Sequence, residues 1–151
     1  MNAVVVVDDE QAVRTLTVRW LEAGGYAVRS AASAEAGMAL IQAEAPGVLV
    51  CDVQMPGLDG LWLVHQVRRH ISGVAIVMAT GGHDLEAAAA TMRLGVSDYL
   101  LKPFTRARLL DAVAAAMQDS LGRPGGCARN DVCDSPCGAQ ALCAAKEGMR
   151  C

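Results

Sequence analysis

Residues 3–10 read Ala3-Val4-Val5-Val6-Val7-Asp8-Asp9-Glu10, five apolar residues running without a break into three acids. A continuous apolar run of this kind reads as a strand covered on both faces, as in a parallel sheet. The pattern recurs three times. Val48-Leu49-Val50-Cys51 ends in Asp52, Val74 to Ala79 ends in Thr80, and Tyr99-Leu100-Leu101 ends in Lys102-Pro103. Parallel strands share one carboxyl edge, where open α/β sheets place their sites. Asp8, Asp9, Asp52, Thr80 and Lys102 are therefore expected to meet there.

Helical patterns fill the intervals. The first spans Gln11 to Ala23, with Val13, Leu16, Trp20 and Leu21 on one stripe, and Gly24-Gly25 stops it. A strand over Tyr26–Ala31 follows. Ser33 is a suitable N-cap for a second helix ending near Ala45, and Pro46-Gly47 turns the chain. After Asp52 and a loop, Asp59 caps a third helix ending near His70. A fourth helix is expected over 84–94, a fifth strand over 97–101 and a fifth helix over 105–120. Five βα repeats predict a doubly wound, flavodoxin-like (βα)5 fold with a five-stranded parallel sheet.

Composition agrees. The chain has 151 residues, of which 53% are hydrophobic but only 3% aromatic, so the core must be aliphatic. The net charge of −3, without a long basic run, gives no sign of a nucleic-acid surface. Met1-Asn2 lacks the basic start of a signal peptide, and no apolar stretch approaches the roughly 20 residues of a membrane span. A soluble, cytoplasmic protein is the expectation.

Three carboxylates at one sheet edge repel one another unless a cation or protons intervene. Mg²⁺ suits such oxygen ligands and leaves coordination positions open for a phosphoryl group. Asp52 has the chemistry of a nucleophile that forms an acyl phosphate. Lys102 offers a point charge for phosphoryl oxygens, and Thr80 a hydroxyl. The set describes in-line phosphoryl transfer by positioning and charge neutralisation.

Over residues 1–120 the chain resembles the CheY-like receiver domains of response regulators in two-component signalling. The resemblance is carried by Val7-Asp8-Asp9-Glu10, by Asp52 followed by Met55-Pro56-Gly57-Leu58-Asp59-Gly60, by Thr80-Gly81 and by Lys102-Pro103-Phe104. It implies that Asp52 is the phosphoacceptor, taking its phosphoryl group from a histidine kinase or phosphotransfer protein. Asp8, Asp9, Asp52 and the backbone carbonyl of Gln54 would hold Mg²⁺. Thr80 and Tyr99 would be the switch pair, and the Lys102-Pro103 bond cis. Such a phosphoprotein catalyses its own phosphorylation and dephosphorylation without being a conventional enzyme. Its output would be a downstream protein bound at the face of the fourth helix, fifth strand and fifth helix, with no nucleic-acid or membrane partner.

Other classes fit less well. A dehalogenase-like aspartyl-phosphate phosphatase wants a second Asp two residues after the nucleophile, where this chain has Gln54. A flavodoxin-type cofactor binder needs a small, Gly-rich loop after the first strand, where Asp8-Asp9-Glu10 would repel phosphate. A DNA-binding regulator, here as a truncated form, needs a helix-turn-helix domain after the linker. His65, His70 and His83 have no metal-binding spacing and read as surface residues. Buried Cys51 reads as a small hydrophobe.

The character changes after residue 120. Residues 121–126 form a Gly/Pro-rich linker, and residues 127–151 form a tail with Cys127, Cys133, Cys137, Cys143 and Cys151. A disordered extension is expected. The competing reading is a small zinc or iron–sulfur site on Cys127, Cys133, Cys137 and Cys143, against which the five-residue gaps weigh.

Overall fold

A computed structural model describes residues 2–81, Ala89 and residues 93–122. Most of the helix expected over 84–94, His83, and the tail with its cysteines lie outside the described residues. The rest is a five-stranded sheet built from β1 (Ala3–Val7), β2 (Ala27–Ala31), β3 (Val48–Asp52), β4 (Ala75–Thr80) and β5 (Asp98–Leu101). All four strand pairings are parallel, in the order β2-β1-β3-β4-β5. The described helices are α1 (Gln11–Ala23), α2 (Ala34–Ala43), α3 (Gly60–His70) and α4 (Arg106–Gly122). The doubly wound, flavodoxin-like five-stranded parallel sheet expected from the alternating pattern is thus the one observed.

Successive strand residues point to opposite faces, so each apolar run supplies two cores. Val5, Val7, Leu49, Cys51, Ile76 and Met78 face α2 and α3, meeting Met38, Ile41, Leu63, Val64 and Val67. Val4, Val6, Val48, Val50, Val77 and Leu100 face α1 and α4, meeting Leu21, Leu109, Val113 and Met117. Both clusters are aliphatic, as the scarcity of aromatics requires. Ser33 caps α2 by accepting a hydrogen bond from the Ala36 amide (3.2 Å), and Asp59 caps α3 through the Trp62 amide (3.1 Å).

Several expectations need correction. Val74 is buried, but its carbonyl accepts from Arg68 Nη1 (2.6 Å), and the ladder starts one residue later at Ala75. Thr80 does not follow β4 but ends it, since its carbonyl accepts from the Lys102 amide (2.8 Å). β5 is an edge strand, so Leu101 is 60% exposed and not buried on both faces. In α1 the inward stripe is rotated: Leu16 is 44% exposed and Thr17 is buried. Thr17 Oγ1 donates to the Val13 carbonyl (2.8 Å), which removes the penalty of burying its hydroxyl. α4 also runs to Gly122, two residues into the expected linker.

Candidate functional site

The sheet order puts β3 at the centre, flanked by β1 and β4. Its last residue, Asp52, therefore lies between the end of β1, with Asp8 and Asp9 just beyond it, and the end of β4 at Thr80. Asp52 pairs in register with Ala79, so Thr80 stands one residue further along the same edge. Asp8 is 5% and Asp52 6% exposed, Thr80 is buried, and Asp9 faces solvent. One carboxylate oxygen from each of Asp8, Asp9 and Asp52 lies within 4.8 Å of the others. Hard oxygen donors this close together, with one of them open to water, form a set that could hold a divalent cation such as Mg²⁺.

Lys102 directly follows the end of β5, and its bond to Pro103 is cis. Its ammonium lies 3.1 Å from Asp8 Oδ2, 3.1 Å from Asp52 Oδ2 and 3.6 Å from Glu10 Oε1. One cation thus ties the ends of β1 and β3 to β5. Asp8 is fixed further because its Oδ1 accepts from the Glu10 amide (2.9 Å) and its carbonyl from Arg14 Nη1 (2.7 Å). Asp52 Oδ1 accepts from the Gln54 amide (3.3 Å).

Burial raises the Asp52 carboxyl from its ordinary 3.8 to about 6. Attraction to Lys102 and the Gln54 amide oppose the rise, and the charge of Asp8 adds to it. Burial alone would lower the pKa of Lys102, but the hydrogen bond to Asp8 and the charges of Asp52 and Asp8 together outweigh it, leaving the ammonium raised. At neutral pH the site therefore holds an ionised Asp52 beside a protonated lysine. Neighbouring Cys51 has its thiol pushed well up, first by burial and then by the charge of Asp52, so it is an inert core group.

The structure brings Asp8, Asp9, Asp52 and Lys102 together, places Thr80 on the same edge, and puts Gln54 in contact with Asp52. Tyr99 is partly buried on β5 against the α2/α3 core. His65 and His70 are exposed on α3, away from any ligand grouping among the described residues. Two features escaped the sequence reading. Glu10 shares Lys102, for which its place in Asp8-Asp9-Glu10 was the available signal. A largely apolar groove of about 320 Å³, lined by Val13, Leu16, Trp20, Lys102, Pro103 and Phe104 among others, adjoins the site. No contiguous sequence marks it.

The family model for the response regulator receiver domain matches residues 4–114. The transcriptional regulatory protein FixJ of Azorhizobium caulinodans is 39% identical over 121 residues, covering 78% of this chain and 54% of FixJ. The nitrogen assimilation regulatory protein NtrX of the same organism is 33% identical over 117 residues, covering 76% of this chain and 26% of NtrX. The chain thus spans about half or less of these curated relatives. The CheY-like receiver domain protein of Methanospirillum hungatei superposes with a TM-score of 0.77 at 27% identity, covering 82% of this chain and 99% of the other. Because FixJ is a transcriptional regulator, the expectation of no nucleic-acid partner gains no support from it. No helix among the described residues is long and apolar enough to cross a membrane.

Proposed function

The chain belongs to the response regulator receiver domain family, and on that premise we propose that Asp52 accepts a phosphoryl group from a histidine kinase or phosphotransfer protein. The observation that carries this reading is the buried Asp52 carboxylate held 3.1 Å from Lys102 Nζ beside two further aspartates. Ionised at neutral pH, Asp52 attacks the phosphorus of a phosphoimidazole. The P–N bond breaks as the new P–O bond forms, and the imidazole nitrogen leaves with the bonding electrons. The product is an acyl phosphate on Asp52. Water attacking the same phosphorus later restores the carboxylate and releases inorganic phosphate.

Lys102 is placed to exchange part of its contact with Asp52 for a phosphoryl oxygen, and so to register the change in charge. Asp8, Asp9, Asp52 and the Gln54 carbonyl would hold Mg²⁺, which supplies charge neutralisation for the phosphoryl oxygens when bound. Thr80, at the end of β4, presents a hydroxyl-bearing residue on the same sheet edge as Asp52, and Tyr99 on adjacent β5 follows it. The altered face, which includes β5 and α4, then engages a downstream protein. In a cytoplasmic phosphorelay this makes the domain a switch whose output is a change of partner.

The test is labelling with acetyl phosphate and Mg²⁺, followed by mapping of the acid-labile phosphate. Label is expected on Asp52 and lost in Asp52→Asn. Undiminished label in that variant would overturn the assignment.

A further inference from the structure

The loop that follows Asp52 returns to it. Val53 is anchored when its amide donates to the Ala79 carbonyl (2.9 Å), and the chain then passes through Gly57, where φ is +79°. It closes where the Gly60 amide donates to the Val53 carbonyl (3.1 Å) and α3 begins. At that point the main chain of Gly60 lies against that of Asp52. A Cβ added to Gly60 would sit 2.1 Å from the Asp52 carbonyl oxygen, and 3.0 Å from both the Asp52 carbonyl carbon and Val53 Cα. All three are backbone atoms of a central strand end, so none can rotate aside.

Gly60 has helical geometry and no positive φ, so glycine is not needed there for its conformational freedom. The contact alone requires it. The contact bears on the site because Asp52 and Gln54 flank Val53, and the Gln54 amide bonds Asp52 Oδ1 (3.3 Å).

We infer that Gly60 is a positioning residue for the phosphoacceptor: its bare Cα lets the first turn of α3 abut the Asp52 carbonyl and holds both the Asp52 side chain and the Gln54 carbonyl in register with Lys102. This rests on the reading of Asp52 as the phosphoacceptor. The start of α3 is a stop against which the Asp52 peptide is set, and Asp59 fixes that stop by capping the helix through the Trp62 amide. Relieving this close approach to ordinary contact moves one backbone by more than about 1 Å, a misplacement on the scale that lowers a positioned reaction about 100-fold.

The experiment compares two glycine substitutions in the one loop. Gly57→Ala places its Cβ in open space and acts only through its positive φ, whereas Gly60→Ala acts through the contact. Initial rates of Asp52 labelling are measured against acetyl phosphate concentration in the full chain, below the melting midpoint of every variant. Gly60→Ala is expected to lower the limiting rate 10- to 100-fold with little change in the half-saturating acetyl phosphate concentration. Gly57→Ala is expected to lower the melting midpoint while keeping the limiting rate within about two-fold of wild type.

If Gly60→Ala does not fold, Asp59→Ala decides the matter, because it loosens the first turn of α3 without adding atoms. It should slow labelling several-fold in a folded protein. A limiting rate in Gly60→Ala equal to that of Gly57→Ala, or wild-type labelling in Asp59→Ala where Gly60→Ala is unfolded, would overturn the inference and leave Asp52 as phosphoacceptor untouched. Absence of label on Asp52 in the wild-type chain would instead remove the reading beneath it.

Discussion

Asp52→Asn should make the metal-free domain more stable at neutral pH. The Asp52 carboxyl is raised from 3.8 to about 6 in the folded protein, chiefly by burial. A raised acid binds its proton more tightly when folded, so its contribution is fully present below about pH 4. It is lost as pH rises toward 6, and the deficit is constant above that. A rise of about 2 pH units at about 1.4 kcal/mol each sets the cost of the ionised group at about 3 kcal/mol, net of its attraction to Lys102. Asparagine has nearly the same shape and keeps an oxygen for the Gln54 amide, while Lys102 retains Asp8. The variant should therefore gain about 2–3 kcal/mol at pH 7.5, or about 10 °C in melting temperature, and almost nothing at pH 3.5. Urea melts from pH 3.5 to 8 in EDTA measure it. Added Mg²⁺ should shrink the difference, because the ion stabilises the carboxylate form preferentially. A variant no more stable than wild type at pH 7.5, or a gain independent of pH, would refute the electrostatic account.

Lys102→Ala removes the ammonium 3.1 Å from Asp52, so the Asp52 titration followed by carboxyl-carbon NMR should move above about 6. Asp9→Ala should weaken Mg²⁺ binding by at least ten-fold in calorimetric titration, with the fold unchanged because Asp9 is exposed. Leu63→Ala, at a fully buried position of α3, should cost about 2–5 kcal/mol in a urea melt. A chain ending at Gly122 should fold and accept phosphate at close to the full-length rate, since every residue of the site precedes α4; loss of the cooperative thermal transition would place the tail in the core.

The parts of the fold that were legible were those where one physical demand dominated. β1 and β3 are central strands, and an unbroken apolar run is the only composition that fills both their faces. Their bounds followed from the residues alone. β4 slipped by one position because the Val74 carbonyl is taken by an arginine side chain from α3, a contact made between segments that no local pattern records. The buried stripe of α1 departs from the apolar pattern because Thr17 hides its hydroxyl against its own helix and so takes a buried place, while Leu16 faces outward. The convergence of Asp8, Asp9, Asp52 and Lys102 was readable because parallel strands can end at only one common edge. The sharing of Lys102 with Glu10 was signalled only by the place of Glu10 next to Asp8-Asp9, whereas the contact between Gly60 and Asp52 joins residues eight apart through the fold of the loop and had no signature in spacing.

The division of the interior into two aliphatic halves has an optical consequence. The chain has two tryptophans, and each packs on a different half. Trp20 of α1 leans on the α1/α4 core, edge-on to Phe104 with ring centroids 6.5 Å apart. Trp62 of α3 leans on the other core, three residues beyond the Asp59 cap. With so few aromatic side chains elsewhere, near-ultraviolet emission comes almost wholly from these two indoles. Replacing either one with phenylalanine leaves a single native chromophore, so events beside Lys102 and events in the loop after Asp52 can be watched separately, in real time and without an attached dye.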